Sequence, residues 1–147
     1  MKEKLLVSAC LLGVGCRYDG LSRPNLEVIS LSQEYELVPF CPEIYGGLPT
    51  PRTPSEIVGD RVVMKDGRDV TAEYSRGATE AVRLCKLLGI KKACLKAKSP
   101  SCGAGQIYDG TFSGILVEGD GITTRALVEG GVFVVNEEEV ARLKTKE

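Results

Sequence analysis

The chain has 147 residues, the length of one domain. At this size folding buries roughly 68–70% of the unfolded surface, so no disulfide is needed merely to fold. Apolar residues make up 43%, charged residues 27%, and the net charge is −1. That composition excludes a disordered or membrane-embedded chain and lacks the basic excess of a dedicated nucleic-acid binder.

Histidine is absent and cysteine occurs six times. Zero histidine excludes Ser-His-Asp and Cys-His hydrolysis, His-ligated zinc and two-His iron sites. The thiols remain as soft metal ligands and candidate nucleophiles. No stretch reads as a signal peptide, and no run approaches the roughly 20 apolar residues of a membrane span. The sequence therefore predicts a cytoplasmic protein whose cysteines meet a reducing environment, where metal binding or catalysis is favoured over disulfides.

In chain order, the apolar run Leu5–Cys10 predicts a buried strand leading into the flexible loop Leu12-Gly13-Val14-Gly15. Asn25–Tyr35 predicts a weak amphipathic helix with Leu26, Ile29 and Leu31 on its apolar face. Glu36–Phe40 predicts a second strand, stopped by Cys41-Pro42. Gly46–Pro54 holds three prolines and two glycines, which predicts a surface loop. Arg61–Met64 and Arg68–Val70 flank Lys65-Asp66-Gly67, the signature of a tight hairpin.

Thr71 offers an N-cap to the clearest helix, whose apolar positions are Tyr74, Ala78, Ala81, Val82, Cys85 and Leu88 and whose stop is Gly89. Lys91–Ala97 predicts a third strand. Its lysines, with Lys98, read as solvated surface. Tyr108-Asp109-Gly110-Thr111 predicts a tight turn, Ile122–Glu129 a helix capped by Gly130-Gly131, and Val132–Val135 a fourth strand. Asn136 caps a final helix whose first turn holds Glu137, Glu138 and Glu139. Apolar strands alternating with helices predict one α/β domain over residues 1–147. It is Rossmann-like, with a mostly parallel sheet flanked by helices and short β-hairpins.

Cys10, Cys41 and Cys102 each fall at, or just beyond, the carboxyl end of a predicted strand. In a parallel sheet those ends share one edge, where α/β proteins build their sites, so the three can converge. Cys85, on a helix's apolar face, and Cys94, inside a strand, read as packing residues. Cys16, six residues after Cys10, stays open as a ligand, a redox partner or a bystander.

Soft sulfur suits zinc or an iron–sulfur cluster. The paired C-x2–4-C knuckles of structural zinc are absent, and so are the compact ferredoxin runs. A three-cysteine cluster would leave one iron open to act as a Lewis acid. Glu43, two residues after Cys41, is a candidate general base or acid. Ser99 and Ser101, bracketing Pro100 beside Cys102, can donate hydrogen bonds or simply shape a turn. Arg17, Arg23 and Arg52 lie in neighbouring loops and can clamp a carbonyl, a phosphate or a planar ring. Gly103-Ala104-Gly105 lacks the lysine and spacing of a nucleotide loop.

Together Ser8-Ala9-Cys10-Leu11-Leu12-Gly13, Cys16-Arg17-Tyr18-Asp19-Gly20, Cys41-Pro42-Glu43, Gly47-Leu48-Pro49-Thr50-Pro51-Arg52 and Ser99-Pro100-Ser101-Cys102-Gly103 resemble the signatures of the thiouracil desulfurase family, long catalogued as a bacterial domain of unknown function. The resemblance runs from about Leu5 to Val135. It implies an enzyme that removes sulfur from 2- or 4-thiouracil without net redox change, giving uracil and hydrosulfide. It also implies a 4Fe-4S cluster held by three cysteines with an open fourth iron. Carried over residue by residue, Cys10, Cys41 and Cys102 are the ligands, Cys16 is the substitute, Glu43 activates water, and Ser99 or Ser101 orients it.

The expected partner is a small thiolated pyrimidine, with no membrane and no strong nucleic-acid signal. Two other readings stand beside this one. One is a non-catalytic metal- or cluster-binding module, a sensor or sulfur carrier, in which Cys16 closes a four-thiolate site. The other is work on thiolated nucleosides in RNA, delivered by a partner domain.

Overall fold

A computed structural model describes residues 2–144. In chain order its regular elements are β1 (Glu3–Ser8), α1 (Leu26–Ser30), β2 (Tyr35–Phe40), α2 (Pro42–Tyr45), β3 (Ser55–Val58), β4 (Arg61–Met64), α3 (Thr71–Leu88), β5 (Lys92–Leu95), β6 (Gln106–Tyr108), β7 (Leu116–Glu118), α4 (Ile122–Glu129) and β8 (Phe133–Asn136). Short 3-10 turns at Ala9–Leu12, Leu31–Gln33 and Glu137–Leu143 complete it.

Four strands form one sheet in the order β2-β1-β5-β8, and every pairing within it is parallel. Successive side chains of a strand face opposite sides, and both sides of this sheet are covered. Leu5 and Val7 of β1 pack with Cys94, Val135, Val28, Leu31, Val140 and Leu143 on one face. Leu6 packs with Ala93, Leu95, Ala81, Cys85 and Leu127, beneath α3 and α4, on the other. A strand buried on both faces reads as a continuous apolar run rather than an alternation, which makes the central strand β1 visible in the sequence, while the edge strands β2 and β8 are only partly buried. The expected α/β architecture, mostly parallel with short hairpins, is the one found.

The chain leaves β1 towards β2 on one side, whereas β5 leads to β8 on the other. The connections diverge between β1 and β5, and such a switch point opens a crevice at the carboxyl ends of the strands. Two antiparallel hairpins, β3–β4 and β6–β7, stand beside the sheet. Leu48, Ile57, Val62, Met64, Val70, Tyr74 and Ile107 form a third, smaller core where they meet α3.

Several local expectations change. The turn at Lys65-Asp66-Gly67 forms, with Met64 N donating to Arg68 O at 2.8 Å. Beyond it, however, there is only one bridge, Val63 to Asp69, and the regular partner of β4 is β3. Thr71 is the first helical residue rather than the cap, because its hydroxyl accepts from Val62 N at 2.9 Å. The helix expected over Asn25–Tyr35 is a one-turn α1 plus a 3-10 turn, capped by Asn25, and its buried residues are Val28 and Leu31 while Leu26 is 82% exposed. Tyr108–Thr111 is not a tight turn but the start of the longer 109–115 loop joining β6 to β7. Gly89 ends α3 in the left-handed conformation and Asn136 is a cap, both as expected, but the segment it caps is a 3-10 stretch, Glu137–Leu143, kinked at Glu139, rather than a final α-helix.

Candidate active site

Three segments that continue β1, β2 and β5 beyond the same sheet edge wall a cavity of about 440 Å3, inside the roughly 300–1,000 Å3 typical of small-molecule sites. Cys10, Cys16, Cys41 and Cys102 all line it. Cys10 sits in the 3-10 turn directly after β1, closed by Gly13 at φ 101. Cys41 is the N-cap of α2, with Pro42 opening the helix, the position where proline's missing N–H costs nothing. Gly77 seats α2 on α3, since a Cβ there would fall 2.1 Å from Pro42 O. Cys102 lies in the turn after β5, its N–H donating to Ser99 Oγ at 2.9 Å and its carbonyl accepting from Thr124 Oγ1 at 2.9 Å.

Glu43 reaches into the same cavity from α2. Its Oε1 accepts the Ser101 hydroxyl at 2.5 Å, and its Oε2 accepts from Arg52 Nη2 at 3.3 Å. Arg52 is almost wholly buried, and the same Nη2 also donates to Cys16 O at 3.0 Å. The two serines divide their roles. Ser99 Oγ accepts from the N–H groups of Ser101 and Cys102 and shapes the turn. Ser101, fully buried, bonds Glu43 and lies 3.5 Å from Cys102 Sγ.

Cys16, Cys41 and Cys102 resist ionisation. A hydrogen bond to Cys10, then burial, pushes Cys16 up to about 11. Cys41 is pushed well above the ordinary thiol range by its hydrogen bond to Cys16, by burial and by the Glu43 carboxylate. Burial first, then the Glu43 charge, takes Cys102 up to about 12. Buried sulfur next to a carboxylate disfavours thiolate unless a cation sits among the sulfurs. Among the described residues, no three Cys, Asp or Glu side chains close on the position of a single metal ion. Soft sulfur donors that reach one cavity from three separate loops suit a soft metal group such as an iron–sulfur cluster.

Cys10, Cys41, Cys102, Glu43, Ser99 and the undecided Cys16 are thus brought together, with Ser101 just behind the wall. Cys10, Cys16 and Cys102 also pack into the two cores flanking the sheet, whereas Cys85 and Cys94 lie in those cores without lining the cavity. Arg17 lines the cavity, Arg52 holds Glu43, and Arg23 is exposed outside it. Lys96 and Lys98 line the cavity rather than standing as free surface, and Lys96 pairs with Glu137 at 2.9 Å.

The sequence reading missed Tyr74, Glu56, Tyr108 and Phe112, which also line the cavity. Tyr74 is hidden in the apolar stripe of α3. Glu56 carries a faint signal, a lone carboxylate between Ser55 and Ile57, and all three are buried.

The 2-thiouracil desulfurase family model matches residues 5–139. The uncharacterized protein YbbK of Bacillus subtilis (strain 168) is 39% identical over 146 residues, covering 92% of this chain and 97% of YbbK. A solved structure of the 4Fe-4S-dependent thiouracil desulfidase TudS is 49% identical, with a TM-score of 0.91, covering 97% of this chain and 95% of that one. Among the described residues no helix is long and apolar enough to cross a membrane.

Proposed function

This chain belongs to the 2-thiouracil desulfurase family, and we propose that it is an iron–sulfur-dependent enzyme that removes sulfur from a thiolated pyrimidine. The reaction is hydrolytic. Thiouracil and water give uracil and hydrosulfide, one C=S bond is replaced by C=O, and no electron is gained or lost. The observation that carries the reading is the meeting of Cys10, Cys41, Cys102 and Glu43 on one cavity wall in a chain 49% identical to a 4Fe-4S-dependent thiouracil desulfidase.

Cys10, Cys41 and Cys102 are the proposed ligands of a 4Fe-4S cluster. Three protein thiolates leave one iron open, and the bound group supplies there a Lewis acid for the thiocarbonyl sulfur. Cys16, whose thiol is hydrogen-bonded with those of Cys10 and Cys41 on the same cavity wall, is the proposed substitute for one of the three.

The chain's own groups do the rest. Glu43 accepts one hydrogen bond at each oxygen, and a carboxylate has about four lone-pair sites. It therefore keeps an acceptor for a water in the cavity, takes one proton of that water as it attacks the thiocarbonyl carbon, and passes that proton to the departing sulfur, which leaves as hydrosulfide while the hydroxyl proton is lost to solvent as C=O forms. Arg52 fixes the carboxylate's plane. Ser101 fixes its other oxygen and stands between Glu43 and Cys102, so it is the serine that orients the reacting group, while Ser99 holds the turn. With no histidine in the chain, acid–base work falls to a carboxylate, a hydroxyl or metal-bound water, and Glu43 is the carboxylate proposed for it. All six cysteines are unpaired, in keeping with a reducing bacterial cytoplasm.

The test is anaerobic reconstitution with iron and sulfide, followed by assay with 2-thiouracil and no reductant. The reading predicts a brown protein that forms one hydrosulfide per uracil. A fully loaded protein that releases neither product contradicts it.

A further inference from the structure

Phe112 has a backbone that phenylalanine rarely adopts. Its φ is 57°, the left-handed region that a bulky side chain occupies only when its surroundings impose it. The constraint is visible. Glu56, a buried residue of β3, turns Oε1 towards the 109–115 loop and accepts there from Gly110 N at 2.9 Å and from Phe112 N at 3.1 Å. Gly110 is itself at φ 94 and lies so close to β3 that a Cβ would stand 2.6 Å from Ile57 O. A buried carboxylate thus shapes a loop that is otherwise mostly exposed, and its product is a half-buried aromatic ring at the cavity wall. The base of the same hairpin is tied to the site, because Ile107 bridges to Lys98, next to Ser99.

Strain of this kind, held by a buried charged acceptor and spent on one aromatic side chain, has no structural return in the loop itself. Phe112 belongs to none of the three cores. Its ring borders the space that receives the substrate, and aromatic faces bind flat heterocycles by stacking, with little regard to substituents. We propose that Phe112 is a specificity-determining residue whose ring stacks on the planar face of the pyrimidine, and that Glu56 is the positioning residue that holds it there. The inference rests on the desulfurase reading for the identity of the substrate. It adds that the site selects flat, conjugated rings over puckered ones bearing the same polar groups.

The experiment measures binding, so that it does not depend on turnover. Equilibrium dialysis of the reconstituted holoenzyme compares uracil with 5,6-dihydrouracil, which keeps the carbonyl and N–H groups but loses the flat conjugated ring. The wild type should prefer uracil by roughly tenfold, the scale of one base–aromatic stack. Phe112→Leu, which keeps apolar bulk without a ring face, should lose most of that preference, whereas Phe112→Tyr should keep it. Glu56→Ala should lose it too, and Glu56→Gln, which retains the carbonyl acceptor, should restore it. In the desulfuration assay the same Phe112→Leu change should raise KM for 2-thiouracil with kcat nearly unchanged.

Equal affinities of the wild type for the two ligands, or an undiminished preference in Phe112→Leu, would overturn the proposal. Sulfide release by a wild type that shows no preference removes the stack and leaves the desulfurase reading. A preference lost in Phe112→Leu, in a loaded wild type that releases no sulfide, removes the desulfurase reading and leaves the stack.

Discussion

Cys94 and Cys102 follow one another closely in the chain, are both buried, and both have thiols pushed up to about 12 with burial as the first cause. Only the backbone separates them. Cys94 lies inside β5, paired across the sheet with Val7 and Val135 and packed among them. Cys102 lies in the turn beyond the same strand, beside Ser101 and on the cavity wall. Burial and acidity therefore say nothing about which thiol does chemistry. What distinguishes them is position relative to the carboxyl edge of a parallel sheet, where the chain has left the hydrogen-bonded ladder and its side chains can face a ligand, and the proposed ligand set rests on that difference.

Substitutions should widen that contrast in order of size. Cys10→Ala and Cys41→Ala, measured by iron content and sulfide release after anaerobic reconstitution, should both fall to background. Glu43→Gln should keep its colour and iron but lose about 10²–10⁴ in kcat, the usual contribution of a general base. Retention of full turnover would remove Glu43 from the mechanism. Arg52→Ala should cost about 10–100-fold in kcat, equivalent to the roughly 1.5–3 kcal/mol of a hydrogen bond to a charged group. Colour retained in that variant would separate the positioning of Glu43 from cluster assembly.

Cys94→Ala is the counterpart in the core. It should leave desulfuration unchanged and lower stability by about 1 kcal/mol in urea unfolding, on the scale of removing one buried methyl-sized group. It also has a pH signature in the cluster-free protein. The thiol loses its proton near 9.0 in the unfolded chain and at about 12 when folded. Between those values the unfolded state binds fewer protons, so stability is full below about pH 9 and falls as pH rises towards 12. Cys94→Ala should flatten that slope by close to one proton, and an unchanged slope would place the titration elsewhere.

How much of this could be read in the sequence follows the range of the interactions involved. The central strands β1 and β5 are legible because burial on both faces makes them apolar runs, and the shorter apolar stretches of β2 and β8 follow at the edges. The three strand-end cysteines are legible because the parallel sheet brings those ends to one edge. β3 was missed because Ser55-Glu56-Ile57-Val58 has neither the length nor the alternation of a strand and gains its identity by pairing with β4. Thr71 reads as a cap by local rules, yet its hydroxyl is taken by Val62 N.

Arg52 and Glu56 show the same limit within the site. One locks Glu43 from nine residues away, and the other shapes the 109–115 loop across more than fifty residues. No local pattern announces an acceptor whose donors lie that far along the chain. Ser99 and Ser101 were indistinguishable by spacing and separate only through the atoms each one touches.

The central claim is that the sheet-edge thiols, and not the core thiols, hold the group that removes sulfur. It is tested most directly by reconstituting Cys102→Ala and Cys94→Ala side by side under anaerobic conditions and measuring iron, acid-labile sulfide and sulfide released from 2-thiouracil. The account predicts wild-type loading and release for Cys94→Ala and loss of both for Cys102→Ala. Equal loading and equal release in the two variants would contradict it.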